Sequence, residues 1–509
     1  MLDLGKLSNL FLAVVAIAAP APASAALAAA AAPPDCKKLV SEFAELLAIP
    51  NVADQLPDIL RNARHISGMM ERRGLSPVLL EREGGGGPPA IFGEWRVPGA
   101  TRTYVLYAHY DGQPVTPSDW TVTQPFRPVL RSARADRTSA SLPLEAACSG
   151  PAADKRIYAR SASDDKLGVM AILAAVDRLR AANARPAFNL KIFLEGEEEA
   201  GSPNLKSILR RHSGRLASDG WIIFDGPAHS SGPPQVVLGV RGQVGVDLTI
   251  YGPARPLHSG HYGNWAPNPA LALSQLLASM VDSSGRVLVR DFYRGAAPLS
   301  AIERKLIARL PDTEPNLRNE LALGRTDGKG RSIYELMLLP SLNINGIRAA
   351  DVGQAGRNVI PSEASASIDL RLPIGIDHGE QVRRLSAHIE RQGYRLFDRV
   401  PTMDERRRYP RVARLVAKPG YNAERTAVDH PLALAVERAV GTTGDMHVLP
   451  TLGGSLPLYL FREVLGAPTV AVSVANSDNN QHAEDENLRL ANLWRAIDAA
   501  TAILKMGER

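Results

Sequence analysis

The stretch KIFLEGEEEAGSPN, residues 191–204, runs from an apolar segment straight into a group of carboxylates. Ile192-Phe193-Leu194 fits a buried strand, and Glu195, Glu197, Glu198 and Glu199 follow it within a few positions. The segments around it have the same grain. RTYVLYAHYD (102–111) and GWIIFDG (220–226) read as strands. DCKKLVSEFAELLAI (35–49), DILRNARHISGMMERRG (58–74) and KLGVMAILAAVDRLRAA (166–182) carry apolar residues at helical spacing. Alternating strands and helices predict an α/β domain with a mostly parallel sheet.

From residue 239 the pattern changes. GVRGQVGVDLTIYG (239–252) alternates like a half-exposed strand, NPALALSQLLASMV (268–281) reads as a helix, and PSLNING (340–346) and SASIDLRLP (365–373) as strands. A helix follows at 378–393. That order fits a ferredoxin-like α+β module. Helix and strand then alternate again through PLALAVERAVG (431–441), PTVAVSV (468–474) and LRLANLWRAIDAATAILK (488–505). The expected division is therefore 33–238 and 401–509 for an α/β domain, interrupted by an α+β insert at 239–400. The polar, Ser/Ala-rich run 131–154 is expected to be a surface insertion, and 282–337 is long for such an insert.

The chain has 509 residues, 45% hydrophobic and 22% charged, which is enough for more than one core. Its net charge of +6 is spread along the sequence, and no basic, aromatic-interleaved module argues for a nucleic-acid partner. Residues 7–32 carry no charge, follow Lys6 and contain Ala23-Ser24-Ala25. They read as a signal peptide and Ala-rich leader (1–32), predicting an exported protein, periplasmic or secreted, that meets the membrane only through the leader. Two cysteines, Cys36 and Cys148, are compatible with one disulfide or with two free thiols.

Chemistry-bearing residues recur where these strands end. His109 and Asp111 close one strand, Asp225 another, and Glu198 and Glu199 a third. Asp164-Asp165 precedes a helix, and His482 lies in the loop NNQHAEDEN (479–487). Taken singly, each is as well read as a polar strand end, a helix start or a solvated loop. Together they would line the carboxyl edge of a parallel sheet, where sites form. A mixed imidazole and carboxylate set suits Zn²⁺, or Co²⁺ or Mn²⁺. A carboxylate left off the metals could take a proton from water.

AHYDGQP, SDDK, EGEEEAGS, FDG, LHSGHYG and NQHAEDEN, in this order, resemble the M20 metallopeptidase/amidohydrolase family, above all its carnosinase-like dipeptidase branch. The resemblance covers about residues 36–505. It implies a zinc-peptidase-type domain with a ferredoxin-like lid and dimerisation domain. It implies two divalent metal ions, with His109 and Asp225 on one, Glu199 and His482 on the other, and Asp164 bridging. Asp111 would support His109, and Glu198 would be the general base. His258 would reach the partner's site in a homodimer and stabilise an oxyanion; Arg371, Gly453, Gly454 and Ser455 would meet the substrate. Glu195 and Glu197 receive no role and are expected to be solvated. The chain departs from the resemblance at Ala159-Arg160-Ser161, where relatives have Gly-Arg-Gly, which would shift the loop holding Asp164. The expected activity is hydrolysis of dipeptides or small peptides near a free carboxylate. N-acyl-amino-acid or carbamoyl amide hydrolysis is the alternative, and an inactive binding homologue the rival from another class. No phosphate-binding lysine loop supports a phosphoryl-transfer enzyme.

Overall fold

The computed structural model describes residues 32–135, 139–150, 152 and 154–507, so the expected leader lies outside the described residues but for its last position. A mixed eight-stranded sheet forms the larger unit. Its centre is parallel: Asn189–Glu195, Thr103–His109, Gly220–Ile223 and Thr469–Ser473 lie side by side. Antiparallel strands flank this centre, Ala90–Trp95 against Asn189–Glu195 and Gln235–Val237 against Thr469–Ser473.

Side-chain alternation in these strands feeds two cores, one on each face of the sheet. Leu190, Ile192 and Leu194 face the helices Cys36–Leu47, Leu56–Arg72, Lys166–Ala181 and Leu490–Leu504. Phe193, Val105, Tyr107 and Trp221 face Leu205–Arg211 and Leu458–Leu465. Lys166–Ala181 is apolar almost all round and buried, sealed between the sheet and Leu490–Leu504. The Lys166 ammonium, fully buried, donates to the carbonyls of Leu46 (2.8 Å) and Ile49 (2.9 Å) and so caps the end of the first helix.

The smaller unit is a five-stranded sheet with the order Ser341–Arg348, Glu363–Leu372, Gly242–Tyr251, Val412–Ala417, Arg395–Phe397. Its first four strands are antiparallel neighbours in the ferredoxin-like order, with Pro269–Ala278 and His378–Arg391 packed against them. It takes in Val412–Ala417, past the expected limit at residue 400, because Ala413 and Leu415 bury in its core. The stretch 282–337, long in the sequence, carries the helices Ala301–Ala308, Glu314–Glu320 and Ile333–Met337. It is tied to the larger unit by an ion pair of Glu303 with Arg425 at 2.9 Å, and by Tyr334, which bonds to His229.

The expected surface insertion at 131–154 is more ordered than its composition suggests. Ser141–Leu142 pairs with Val129–Arg131, and Cys148 forms a disulfide with Cys36, 112 residues away in sequence. Among the described residues, no helix is long and apolar enough to cross a membrane.

Candidate active site

The strand Thr103–His109 ends with the His109 side chain fully buried, and Asp111 follows just beyond the strand. His109 Nδ1 lies 3.3 Å from Asp111 Oδ1, which fixes the ring. Its Nε2 points into a cluster: Asp164 Oδ1 at 3.0 Å and Asp225 Oδ2 at 3.8 Å. The other oxygen of Asp164 is 3.1 Å from His482 Nε2, and Glu199 Oε2 lies 3.3 Å from the same nitrogen. Asp164 thus stands between the two histidines. His482, half exposed and in the left-handed backbone region (φ +64°), marks the open side of the cluster.

Asp111 does more than orient His109. Its carboxylate accepts the backbone N–H groups of Glu198 and Glu199, both at 3.0 Å. The loop after Asn189–Glu195 is therefore folded back onto the end of Thr103–His109. Glu199 also accepts from Gln113 Nε2 at 2.7 Å. The answer to why so many carboxylates follow one strand is that they divide. Glu198 and Glu199 turn into the cluster, and the other two hold the loop. Glu195 and Glu197 are buried, which corrects the expectation that they are solvated. Glu195 accepts from the Tyr107 hydroxyl at 2.8 Å, and burial pushes its carboxyl up to about 8. Glu197 accepts from the backbone N–H and side-chain amide of Asn204 at 2.7 and 2.8 Å.

The loop that carries Asp164 is held by a residue the sequence gives no reason to single out. Glu486 is fully buried and accepts from Arg160 Nη1 (2.8 Å), Ser161 N (2.8 Å), Ser163 N (3.0 Å), Ser163 Oγ (2.8 Å) and Asp164 N (3.0 Å). Nothing distinguishes it in sequence from Glu484 and Asp485 beside it. Ser161 takes the left-handed conformation (φ +63°), and its hydroxyl accepts from Asn51 at 2.9 Å. At the Ala-Arg-Ser departure the loop is held by Glu486 and Asn51. The next peptide bond, Asp164–Asp165, is cis. Asp165 caps the helix Lys166–Ala181 through Gly168 N and accepts His109 N at 3.1 Å.

The electrostatics mark this as a cation site. Burial pushes Asp225 up to about 7 and Glu199 up to about 8, with the Asp164 charge adding to both. Glu198 is pushed well above the usual carboxylate range, also by burial first. Hydrogen bonding to Asp164 raises His482 to about 9. Asp225 Oδ2 is buried and has no hydrogen-bond partner. Carboxylates outnumber imidazoles, most of the cluster is buried, and one oxygen is left without a donor. A divalent cation fits that donor set. His109, Asp164 and Glu199, and separately His109, Asp165 and Asp225, bring ligand atoms within 4.8 Å of one another.

Arg371, at the end of the strand Glu363–Leu372, joins the smaller sheet to the larger unit. Its Nη1 donates to Ser455 Oγ at 2.9 Å and its Nε to Asp369 at 2.7 Å. Gly453 fits closely against the Met337 side chain, where a Cβ would come within 3.1 Å of its Cε. Gly454, between Gly453 and Ser455, completes this loop. Tyr421, which sequence reasoning missed, bonds to Ser455 and feels the charges of both Glu198 and Arg371. Burial raises its hydroxyl to about 12, with Ser455 opposing, Glu198 adding and Arg371 opposing. Its ring stacks on Tyr459 at 4.8 Å. His258 is exposed, and within one chain it is not brought to the cluster; its Nδ1 accepts from Gly260 N at 3.0 Å.

The family model for peptidase family M20/M25/M40 matches residues 105–506. The chain belongs to this family. It is similar to the Cys-Gly metallodipeptidase of Saccharomyces cerevisiae, 25% identical over 82% of each chain. It is also similar to the human Beta-Ala-His dipeptidase, 25% identical over 81% of this chain and 75% of that one. Among solved structures, an M20 family metallo-carboxypeptidase from Sulfolobus solfataricus superimposes with a TM-score of 0.74 at 28% identity, covering 92% of this chain and 99% of the other. The protein is a metal-dependent hydrolase of the M20 dipeptidase type. The expectation of export is corrected here. A periplasm is a bacterial compartment, whereas these curated relatives are yeast and mammalian dipeptidases, and the leader lies outside the described residues. The exported, periplasmic or secreted assignment is withdrawn.

Proposed function

We propose that the protein hydrolyses the amide bond of dipeptides or small peptides next to a free carboxylate, using two divalent metal ions and Glu198 as general base. The observation that carries this reading is the Asp164 carboxylate between His109 and His482, with Asp225 on one side and Glu199 on the other. His109 and Asp225 would hold one ion, His482 and Glu199 the second, and Asp164 would bridge, most simply with zinc. Bound there, the ions would polarise the scissile carbonyl and lower the pKa of water at the site.

The chain's own groups supply the rest. Glu198 is half-buried beside the ligands, bonds through its backbone to Asp111, and has a raised pKa, which suits a group that must take a proton and return it. It would take the proton from water and deliver it to the leaving amine. Arg371 would hold the free carboxylate, with Ser455 fixing the guanidinium. That favours dipeptides as substrates. The smaller unit would act as lid and dimerisation domain. Its edge strand Ser341–Arg348 is largely exposed, as are Trp265 and Val352, and an unpaired edge with apolar neighbours suits a second copy of the chain. In such a homodimer His258 of one subunit would serve the site of the other, donating to the developing oxyanion.

Elemental analysis of protein purified without chelator, paired with a dipeptide hydrolysis assay, tests the reading. Roughly two equivalents of divalent metal per chain, and turnover lost on chelation and regained on adding metal, are expected. A chain that binds no metal after reconstitution would be a binding homologue instead.

A further inference from the structure

Arg371 is not alone. Arg241 lies at the point where the chain passes from the larger unit into the strand Gly242–Tyr251, and its side chain is 7% exposed. Its Nη2 donates to Leu339 O (2.9 Å), Ser341 Oγ (2.9 Å) and Arg371 O (3.4 Å). Its Nε is buried without a partner. Its own carbonyl accepts from Ser455 Oγ at 2.8 Å, the same hydroxyl that receives Arg371 Nη1. Ser455 therefore ties the Arg371 guanidinium to the Arg241 backbone, while the Arg241 side chain reaches the Arg371 backbone.

The charge count in this corner is unbalanced. Arg371 pairs with Asp369 at 2.7 Å. Among the described residues, Arg241 has no carboxylate within ion-pair distance. Burial, then the charge of Arg371, lowers Arg241 to about 10, against a weaker opposing effect of Asp369. Arg241 therefore still carries its charge at neutral pH. Two guanidinium groups stand near one carboxylate, which pairs with the partly exposed Arg371 and leaves the buried Arg241 without a counter-ion. A buried charge left unpaired is costly unless a ligand pairs it.

We propose that Arg241 is a positioning residue for the substrate's carboxylate: its buried guanidinium leaves the Arg371–Asp369 pair with a net positive charge and braces, through Arg371 O, the strand end that carries the guanidinium receiving the anion. The inference rests on the reading of Arg371 as the carboxylate holder. With Asp369 alone beside it, Arg371 would be neutralised and would bind a neutral C-terminus nearly as well. Arg241 supplies the excess charge, so the enzyme would select a free carboxylate over its amide.

The experiment measures kcat and KM for a dipeptide and for its C-terminal amide on the metal-loaded enzyme. Arg241→Met is expected to raise KM for the dipeptide about tenfold or more and to leave kcat/KM for the amide close to wild type. Arg241→Lys, which keeps the charge, should retain most of the preference. If Arg241→Met lowers both substrates equally, or leaves the preference intact, the proposal is wrong and Arg241 is only a packing residue. If Arg241→Met folds poorly, Arg241→Gln set against Arg241→Lys gives the same decision. Arg371→Met distinguishes the two layers. A wild type without preference, or a preference that survives Arg371→Met, overturns the carboxylate reading itself and this proposal with it.

Discussion

The larger sheet carries a surplus of negative charge at its carboxyl edge, and the smaller sheet ends in a surplus of positive charge at Arg241 and Arg371. The first surplus is set for cations, by carboxylates that outnumber the imidazoles beside them and by one buried oxygen, Asp225 Oδ2, that no donor satisfies. The second is set for an anion, by guanidinium groups with too few counter-ions. On the proposed reading, a substrate that spans both, with an amide at one end and a carboxylate at the other, is what the pair would select. Reactivity and recognition would then be built on separate sheets, each with its own core.

That contrast can be broken from the reactive side first. Glu198→Gln should lower the rate by about 10⁴-fold, equivalent to ~5.5 kcal/mol of barrier, while metal content and carboxylate preference stay unchanged. A steady-state assay beside elemental analysis checks this; loss of metal would instead make Glu198 a ligand. Glu486→Ala leaves Arg160 buried without its partner and removes the acceptor for the Asp164 loop. It should cost about 4 kcal/mol, seen as a lower denaturant midpoint, and should impair the metal side more than the arginine side.

Smaller effects sharpen the comparison. Cys148→Ser opens the 112-residue loop closed onto the first helix. It should cost about 3 kcal/mol, read as a lower Tm in the larger unit with the smaller unit's packing untouched. Asp478 accepts from Arg156 Nη2 at 2.6 Å, and although burial opposes it, that pairing brings its carboxyl down to about 2. Because the folded pKa lies below the unfolded one, this contribution is present above pH ~4 and is lost as pH falls toward ~2; it is worth about 2 kcal/mol. Asp478→Asn should flatten stability across that window in an acid titration followed by circular dichroism.

The central strands were legible because the alternation of Leu190, Ile192 and Leu194 with Phe193 writes both faces of a buried sheet into the sequence. Much of the cluster was legible because His109, Asp225 and Glu199 sit where those strands stop, while Asp164 and His482 come from a helix start and a loop. Glu486, Asn51 and Tyr421 were not, since each acts on a segment far away in the chain and no local spacing announces such a partner. Glu195 read as solvated for the same reason, since its donor Tyr107 meets it only when the sheet is assembled; Glu197 has its donor, Asn204, in the same loop, and only the fold of that loop brings them together. The end of the smaller unit was missed because Val412–Ala417 returns to pair with Gly242–Tyr251 after a polar stretch that resembles a boundary.

The disulfide has a consequence for cleavage. Cys36 and Cys148 enclose the residues between them in a covalent ring. A protease that nicks the exposed part of 131–147 opens the ring without releasing a fragment, so the two pieces would part on a denaturing gel only once a reductant is added. The backbone there can be cut while the domain keeps both halves of its chain.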